Sequence, residues 1–526
     1  MTSRVARAYP FLLALVPILN FAANNPDQYG MRDLVLLLAV TVAACGVVYA
    51  LAALAARGRA APGLPAFMTL LFVAWIFGYR RVASLTGDAA DPPHLVLVPA
   101  GLLLCGALVW WVHRREAVLD GLGRFFTLMA VLLVGWSAFQ IGRGWIRGEE
   151  MVAESDLARE LARPIEGPAG APARPRDIYL IVLDEYANSD VLRERFNFDN
   201  RPFEDSLRAL GFHVPRVARS NYLHTLLSLP SLLNAAHLTA LEQEVGARVK
   251  HPRLPNYLLE HGRVIQYLQD RGYEYVFFPS NWWHATRSSP PANVVFRPFR
   301  GFDLMRSMNA GEIERRVRGL TILSYFDRSH RWEAEHTRRT LDGVAGLAGT
   351  GTHPRFAFAH IIKPHNPYVF DQRCEVLRRQ REDDDVGPYL EQLQCVNRLL
   401  LAAIRRIQAE SPVPPVIILQ GDHGTKLLHA TGYPTPEEVP PSAARERFGA
   451  FGAYYLPDGG EKAFGDTVTI VNVMGNILRY YFGAHLPRAG NEGYISPADF
   501  PYDFRRVDAR WLAGDDPPGS KPRSGG

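Results

Sequence analysis

The sequence lacks any run of five or six basic residues, although the 526-residue chain has a formal net charge of +5. Of its 58 basic residues, 53 are arginine, and they are scattered along the whole chain. Surfaces that bind nucleic acid are typically built from clustered basic residues. The composition therefore argues against nucleic acid as a partner.

Charged residues are also missing from five segments near the amino terminus. Asp, Glu, Lys and Arg are absent from residues 8–26, 34–56, 60–79, 95–112 and 125–142. Each segment is about as long as the roughly 20 residues that cross a bilayer. The first has no small-residue cleavage site, so we interpret it as an uncleaved span and not as a signal peptide. The pattern predicts a five-helix transmembrane anchor over residues 1–145.

No acid or base inside these spans indicates a proton or ion path, which favours an anchor over a transporter. The arginines that flank the spans are divided seven to five between the two sides of the membrane. The larger group is Arg4, Arg7, Arg57, Arg59, Arg114, Arg115 and Arg124, and the smaller is Arg32, Arg80, Arg81, Arg143 and Arg147. By the positive-inside rule this predicts a multi-pass protein of the cytoplasmic (inner) membrane, with residues after 145 on the periplasmic or extracellular side.

The remainder of the chain has a different pattern. Residues 146–176 are rich in Pro, Ala and Gly and lack an apolar period, which predicts a linker. From residue 177 to 514, short apolar runs alternate with helical patterns, with strands expected near 177–184, 213–217, 273–279, 355–362, 416–421 and 449–456. Helices are expected near 202–210, 258–271, 332–347, 386–409 and 470–482. This alternation predicts an α/β domain with a mostly parallel sheet, and residues 515–526 are predicted to be disordered.

Polar residues follow two of the predicted strands. Asp184 ends the first run, and Asp422 and His423 follow the run Val416 to Gly421. The carboxyl ends of parallel strands are where open α/β sheets build their sites, and carboxylate oxygen and imidazole nitrogen hold divalent metals. The competing interpretation is that these residues only form turns or caps.

Thr225 lies at the predicted start of a helix and is the candidate nucleophile. A threonine hydroxyl is a weak nucleophile, so it needs a metal or a base beside it. The first turn of a helix also favours a bound anion, such as a phosphoryl or sulfuryl group. The alternative is that Thr225 is an N-cap. The nearby His213, His224 and His237 are interpreted as structural.

The order of these motifs resembles the membrane-anchored branch of the alkaline phosphatase and sulfatase superfamily, which includes lipoteichoic acid synthases and phosphoethanolamine transferases. The matching parts are the strand ending at Asp184, the Thr-x-x-Ser-x-Pro run Thr225 to Pro230, the segment His360 to Pro367, and Gly421 to Gly424. The resemblance implies an alkaline phosphatase/sulfatase-like sheet flanked by helices, preceded by an α-helical transmembrane bundle.

The resemblance also implies roles for individual residues. Thr225 would carry a covalent intermediate, and His360 or His365 would steady the substrate phosphate or protonate the leaving oxygen. One divalent metal, Zn or Mn in preference to Mg or Ca, would be held by Asp184, Thr225, Asp422 and His423. Lys426, just past the Asp-His-Gly turn, is a further candidate site residue.

The sequence departs from its relatives in two respects. It has no Cys/Ser-x-Pro-x-Arg run, the setting in which sulfatases generate formylglycine, so sulfate ester hydrolysis by that route is not expected. The transferases usually have Glu as the first-strand ligand, whereas here Asp184 and Glu185 are adjacent. Either could be the ligand, and we favour Asp184.

The expected function is that of a metal-dependent envelope phosphotransferase or a phosphoester or phosphodiester hydrolase. Its expected partners are membrane lipids, a lipid-linked phosphate donor, and a glycan or lipid acceptor. The alternatives are a sulfuric ester hydrolase and a non-catalytic membrane scaffold that kept the fold. Cys374 and Cys395 are the only cysteines after residue 145, and an oxidising compartment would allow them to form a disulfide.

Overall fold

The computed structural model describes residues 7–26, 29–57, 61–85, 94–170, 172, 174–280, 286, 289–299, 312–326, 329–381, 385–428, 438–497 and 499–507. The tail predicted at 515–526 lies outside these residues. The chain divides into two compact units, which are residues 1–147 with 302–329, and residues 148–301 with 330–526. We describe each unit by itself.

The first unit is helical. Within its described residues, α2 to α5 are long and apolar enough to cross a membrane, whereas α1, with 16 residues, is shorter. Several apolar side chains of α4 are exposed, including Leu103 and Trp110 at 75% each, as expected of a surface that faces lipid and not water. The helices are α1 Tyr9–Asn24, α2 Met31–Ala55, α3 Leu64–Leu85, α4 His94–Val112 and α5 Glu116–Glu154, the last continuing into the second unit.

A later part of the chain also belongs to this unit. Helix α13 (Glu312–Gly319) has Ile313 and Val317 one turn apart, and both are buried in a cluster with Ile18 and Ala22 of α1. A short 3-10 helix, Ile322–Phe326, follows it. The apolar pair at i and i+4 gives α13 one apolar face, which explains why it packs there.

The second unit is built on a seven-stranded sheet with strand order β2-β10-β9-β1-β6-β4-β5. Strands β9, β1, β6, β4 and β5 are parallel, while β10 and β2 are antiparallel to their neighbours at one edge. The sheet strands are β1 Ile178–Leu183, β2 Phe212–His213, β4 Glu274–Phe278, β5 Val294–Val295, β6 Arg355–Ile361, β9 Val416–Gly421 and β10 Gly452–Tyr455. The expected α/β fold with a mostly parallel sheet is confirmed.

Smaller sheets and helices surround this core. The two-stranded sheets pair β3 Val217–Arg219 with β11 Thr467–Thr469, β7 Tyr368–Phe370 with β8 Val376–Arg381, and β12 Gly493–Ile495 with β13 Arg505–Val507. The other helices are α6 Asp156–Leu161, α7 Ser189–Phe196, α8 Arg201–Ala209, α9 Thr225–Asn234, α10 Leu241–Val245, α11 Arg253–Glu260, α12 Arg263–Gln269, α14 Ser329–Ala345, α15 Val386–Glu410, α16 Pro441–Phe448 and α17 Ile470–Phe482, with a 3-10 segment at Pro457–Ala463.

The uninterrupted apolar sequence of strand β1 is explained by its burial. All six residues are buried, because helices cover both faces of the sheet. Ile178, Leu180 and Val182 pack into the core that contains α9, α12 and α17. The alternate residues, Tyr179, Ile181 and Leu183, pack into the core that contains α7, α8 and α15.

Three local predictions differ from the structure. Helix 258–271 is two helices, α11 and α12, separated by Gly262, where a Cβ atom would lie 2.8 Å from the Cβ of Leu233. The strand expected at 213–217 is divided between β2 and β3. Helical structure extends to Leu161 within the stretch predicted as a linker, because Leu157 and Leu161 are buried in a core cluster.

Cys374 and Cys395 form a disulfide. It joins the turn between β7 and β8 to helix α15. Gln392, one turn earlier on α15, donates hydrogen bonds to the carbonyls of Pro364 and His365, both at 3.0 Å. The disulfide therefore holds the hairpin on the same helix that supports the segment around His365.

Candidate active site

The central strands bring two carboxylates together at the carboxyl edge of the sheet. Leu183 of β1 is in register with Gly421 of β9, so Asp184 and Asp422 leave the sheet side by side. The backbone amide of Asp422 donates to the carbonyl of Leu183 at 3.2 Å. The backbone amide of Glu185 donates to Oδ1 of Asp422 at 3.0 Å, which fixes that carboxylate.

Helix α9 places Thr225 against this pair. Thr225 is the first helical residue, and the N-cap position is occupied by His224. The Thr225 hydroxyl donates to Oδ2 of Asp422 at 2.7 Å and lies 3.1 Å from Nε2 of His423. The N-cap alternative for Thr225 is therefore wrong, since its side chain faces the site and does not cap the helix.

His423 directs its Nε2 atom toward the Thr225 hydroxyl and Asp422. Its Nδ1 lies 2.9 Å from the carbonyl of Gly424, which can only accept, so Nδ1 carries the proton of the neutral ring. Nε2 is then unprotonated, 3.3 Å from Oδ2 of Asp422 and 3.8 Å from Oδ1 of Asp184. This is the tautomer that binds a metal.

His360, at the end of β6, joins the two carboxylates. Among the described residues, Asp184, His360 and Asp422 form a buried group whose candidate ligand atoms all lie within 4.8 Å of one another. Nε2 of His360 and Oδ1 of Asp184 are buried and lack a hydrogen-bond partner in the described part of the chain. Such orphaned atoms are rare in a native fold without an ion or water to satisfy them.

The electrostatics of this group also fit a cation. Burial raises the pKa of Asp184 well above its usual value, and the neighbouring Asp422 and Glu185 raise it further. A bound divalent ion would reverse this effect, because a nearby positive charge favours the ionised carboxylate. The oxygen and nitrogen donors present fit zinc or manganese.

Thr286 adds a contact to this group that no sequence motif indicated. Its hydroxyl lies 3.0 Å from Nδ1 of His360 and 2.7 Å from the hydroxyl of Ser280, and all three side chains are buried. The contact orients the imidazole so that Nε2 faces Asp184. A lone Thr in an irregular stretch of sequence carries no pattern that could have identified it.

Glu185 faces a different environment. Its backbone has a left-handed φ of 57°, and its carboxylate lies 3.5 Å from Arg447 Nη1, 3.8 Å from Lys426 Nζ and 3.9 Å from His365 Nε2. Burial alone would raise its pKa, but these cationic neighbours, with His365 first, outweigh burial and lower it to about 2. Glu185 and Lys426 thus lie together, outside the Asp184, His360 and Asp422 group.

His365 faces Glu185 through Nε2 and a backbone carbonyl through Nδ1. Its Nδ1 donates to the carbonyl of Asn366, which leaves Nε2 of the neutral ring as an acceptor facing Glu185. Burial lowers the pKa of His365 to about 4, although Glu185 opposes the shift. His360 and His365, which the sequence analysis treated as equivalent, therefore belong to different clusters.

The other three histidines near helix α9 have contacts of their own. His224 lies 3.4 Å from Arg447 through Nδ1 and 3.2 Å from the Ser496 carbonyl through Nε2, which fixes the turn before Thr225. His213 lies on the edge strand β2, and His237 contacts the carbonyl of Gly490 at 2.8 Å. Arg447, which the sequence did not single out, also donates to the carbonyl of Leu223 at 2.6 Å.

The chain is similar to known proteins over this region. The family model described as Sulfatase matches residues 181–457, slightly more than half of the 526-residue chain. The match includes the end of the strand before Asp184, helix α9, both histidines of the β6 region and the Asp-His-Gly turn. No curated protein matches the chain.

Solved structures with related folds belong to transferases and sulfatases. The C-terminal periplasmic domain of EptC from Escherichia coli, in complex with Zn, is 10% identical, with a TM-score of 0.43, covering 65% of this chain and 96% of that one. The integral membrane protein lipooligosaccharide phosphoethanolamine transferase A from Neisseria meningitidis is 13% identical, with a TM-score of 0.38, covering 91% and 95%. BT1596, a 2-O GAG sulfatase, is 11% identical, with a TM-score of 0.38, covering 66% and 76%. At these TM-scores the similarities assign neither substrate nor metal to this chain.

Proposed function

Because the chain belongs to the sulfatase family, we propose that it is a membrane-anchored enzyme that transfers or hydrolyses phosphoesters through a covalent intermediate on Thr225. The observation that carries this proposal is the position of the Thr225 hydroxyl, 2.7 Å from Asp422 and 3.1 Å from His423. A hydroxyl that only stabilised the helix would face the backbone. This one faces two groups that can activate it.

The donor set supports dependence on one divalent metal, zinc or manganese in preference to magnesium or calcium. When bound, such an ion would favour the alkoxide of Thr225 and neutralise charge on the phosphate. The proposed ligands are Asp184, Thr225, Asp422 and His423. His360 is close enough to Asp184 to join them or to contact the phosphate.

In the first step the Thr225 oxygen attacks phosphorus, and the bond from phosphorus to the leaving oxygen breaks. The hydroxyl proton of Thr225 passes to Asp422, its hydrogen-bond acceptor. The amino terminus of α9 directs backbone N–H groups toward the phosphoryl oxygens. Lys426, a third of whose side chain is exposed, is placed to pair with the substrate phosphate.

His365 is the proposed proton carrier for the leaving and entering oxygens. An anionic phosphate beside the ring favours its protonated form, which donates to the leaving oxygen. In the neutral ring the lone pair is on Nε2, because Nδ1 donates to the carbonyl of Asn366. That lone pair can take the proton of the water or acceptor hydroxyl that releases the group from Thr225.

The anchor suggests where the substrates are. Four long apolar helices precede the catalytic unit, and the arginine asymmetry favours a periplasmic or extracellular position for that unit. We propose a lipid-linked phosphate donor and an envelope glycan or lipid acceptor. A reporter that is active only in the cytoplasm, fused after Gly526, should therefore be silent.

The direct test is mass spectrometry of the intact full-length protein isolated from its native membranes. We expect a covalent adduct on Thr225 that carries label when cells are grown with radioactive phosphorus. Thr225→Ala should lack the adduct. The matched control is Ser231→Ala on the same helix, whose hydroxyl bonds only the carbonyl of Ser228 in the described part of the chain, and which should keep the adduct.

The same experiment separates the alternatives. An adduct on Thr225 that carries no phosphorus label and has the mass of a sulfo group would indicate a sulfuric ester hydrolase. Absence of any adduct, together with no bound metal in the purified protein, would favour a non-catalytic scaffold. An adduct that persists in Thr225→Ala would move the nucleophile elsewhere.

A further inference from the structure

A cavity in the catalytic unit is lined by residues other than those of the Asp184, His360 and Asp422 group. Its volume is about 260 Å³, and it is lined by four arginines and two acids. These are Arg195, Arg216, Arg219, Arg445, Asp190 and Glu194. We call this cavity the arginine pocket. None of Asp184, Thr225, Asp422 or His423 lines it.

Two of the arginines lack an acidic partner. Neither Arg216 nor Arg219 forms an ion pair in the described part of the chain, and Nε of Arg219 is buried without a hydrogen-bond partner. Burial lowers the pKa of Arg219, and the charge of Arg216 lowers it further. Two guanidinium groups that face one cavity therefore repel each other, and an anion between them would remove that repulsion.

The acids of the pocket do not supply this anion. Asp190 is paired with Arg193 at 2.7 Å, and the same Arg193 lies 3.6 Å from Glu194. Arg193 is not among the residues that line the pocket. Since Arg193 already pairs with these acids, they do not neutralise Arg216 and Arg219.

The walls of the pocket are fixed by the backbone. Arg219 ends β3, which is held by its pairing with β11. Asn188 joins the two sides, because its side-chain amide donates to the carbonyl of Ala218 at 3.1 Å and its backbone amide donates to Gly449 at 2.8 Å. Guanidinium groups that converge on one cavity can recognise phosphate through paired hydrogen bonds.

We propose that the arginine pocket binds the phosphate group of a second ligand, distinct from the group that reacts at Thr225. Its volume lies just below the roughly 300–1,000 Å³ of sites for drug-sized molecules, so it suits a phosphate with a short substituent. Two sources provide such a phosphate, a soluble or glycan-linked monoester and a lipid headgroup. The inference goes beyond the proposed reaction, and its test does not require turnover.

The test measures binding of radiolabelled inorganic phosphate to the full-length protein in detergent, by equilibrium dialysis in the presence of a chelator. The chelator removes the metal contribution of the active site. Arg216→Gln with Arg219→Gln should weaken binding roughly tenfold or more, because two charge-assisted contacts are lost. Thr225→Ala should leave binding at the pocket unchanged. Competition by methyl phosphate or by a short-chain phosphatidylglycerol then distinguishes a monoester source from a lipid headgroup.

The matched control removes the same charge elsewhere. Arg201 and Arg208 on α8 are exposed and paired with neighbouring acids, so Arg201→Gln with Arg208→Gln should bind phosphate as the wild type does. Arg216→Lys with Arg219→Lys keeps the charge and should give intermediate binding. This variant still tests the proposal if the Gln variant does not fold. Equal binding by wild type and the Gln variant, or an equal loss in the α8 control, would overturn the proposal.

Discussion

Asp184 and Glu185 are adjacent carboxylates at the end of one strand, yet they lie in opposite electrostatic environments. Asp184 is grouped with Asp422 and two histidines, and its pKa is raised well above the usual value by burial and by the neighbouring carboxylates. Glu185 is surrounded by Arg447, Lys426 and His365, and its pKa falls to about 2 despite its burial. The left-handed backbone at Glu185 separates the two side chains.

The difference shows which cluster needs an external cation. Buried charges are tolerated when they are paired, and the protein itself supplies the partners of Glu185. Lys426 and Lys363 act on Asp184 only from a distance, and no ion pair with Lys or Arg reaches the group in the described part of the chain, where an oxygen of Asp184 and a nitrogen of His360 lack hydrogen bonds. We call Asp184, His360, Asp422 and His423 the Asp184 cluster, and Glu185 with Arg447, Lys426 and His365 the Glu185 cluster. We therefore assign the proposed metal to the Asp184 cluster and the pairing of substrate phosphate to the Glu185 cluster.

The largest effect is expected for Thr225→Ala, which removes the proposed nucleophile from the Asp184 cluster. Turnover of a nitrophenyl phosphoester should fall by roughly 1,000-fold or more. The free energy of unfolding should fall by only about 1–3 kcal/mol, because Asp422 loses one donor. Ser231→Ala is the control and should keep its activity. Substantial turnover by Thr225→Ala would show that another group attacks phosphorus.

The difference between the two carboxylates is tested most directly by comparing the stability of Asp184→Asn with that of Glu185→Gln. With a chelator present, Asp184→Asn should unfold at or above the wild-type temperature, because a buried like-charge repulsion is removed. Glu185→Gln should lower the free energy of unfolding by about 3 kcal/mol, because the cationic side chains of Arg447 and Lys426 lose their buried counter-charge. Thermal unfolding of the detergent-solubilised protein measures both.

Addition of zinc or manganese should reverse the order of these two variants. The wild type and Glu185→Gln should bind the metal and gain thermal stability, whereas Asp184→Asn should gain little. Metal analysis of the purified proteins provides an independent readout. If Glu185→Gln lost the metal and Asp184→Asn kept it, the assignment of the two carboxylates would have to be exchanged.

The sequence was sufficient for part of this arrangement. Asp184 and Asp422 each follow an uninterrupted apolar run, and parallel strands that end at one edge bring such residues together. The choice between Asp184 and Glu185 could not be derived from spacing, because it depends on one backbone angle. Arg447 and Thr286 were missed because they reach the site from distant parts of the chain: Arg447 is 262 residues from the Glu185 that it contacts.

A smaller effect is expected for Thr286→Val, which keeps the shape of the side chain but removes the hydroxyl beside His360 Nδ1. Loss of a group that orients a metal-site histidine typically costs about 10–100-fold in metal affinity or activity. We therefore expect a weaker apparent metal affinity with little change in the unfolding temperature of the chelated protein. Thr286→Ser should restore the affinity. Unchanged metal affinity in Thr286→Val would limit Thr286 to a packing role.

The smallest effect on activity is expected from replacing both Cys374 and Cys395 with Ser. The disulfide lies outside both clusters, but α15 carries Cys395 and also Gln392, which bonds the carbonyl of His365. Loss of the disulfide, which closes the segment between Cys374 and Cys395, should lower the free energy of unfolding by about 3 kcal/mol. Metal content should stay at the wild-type level, because no Asp184-cluster residue contacts the hairpin in the described interactions. Turnover should fall only slightly, through looser placement of His365. Loss of metal from a folded double variant would mean that the two clusters are coupled through α15, and the separation drawn between Asp184 and Glu185 would then be wrong.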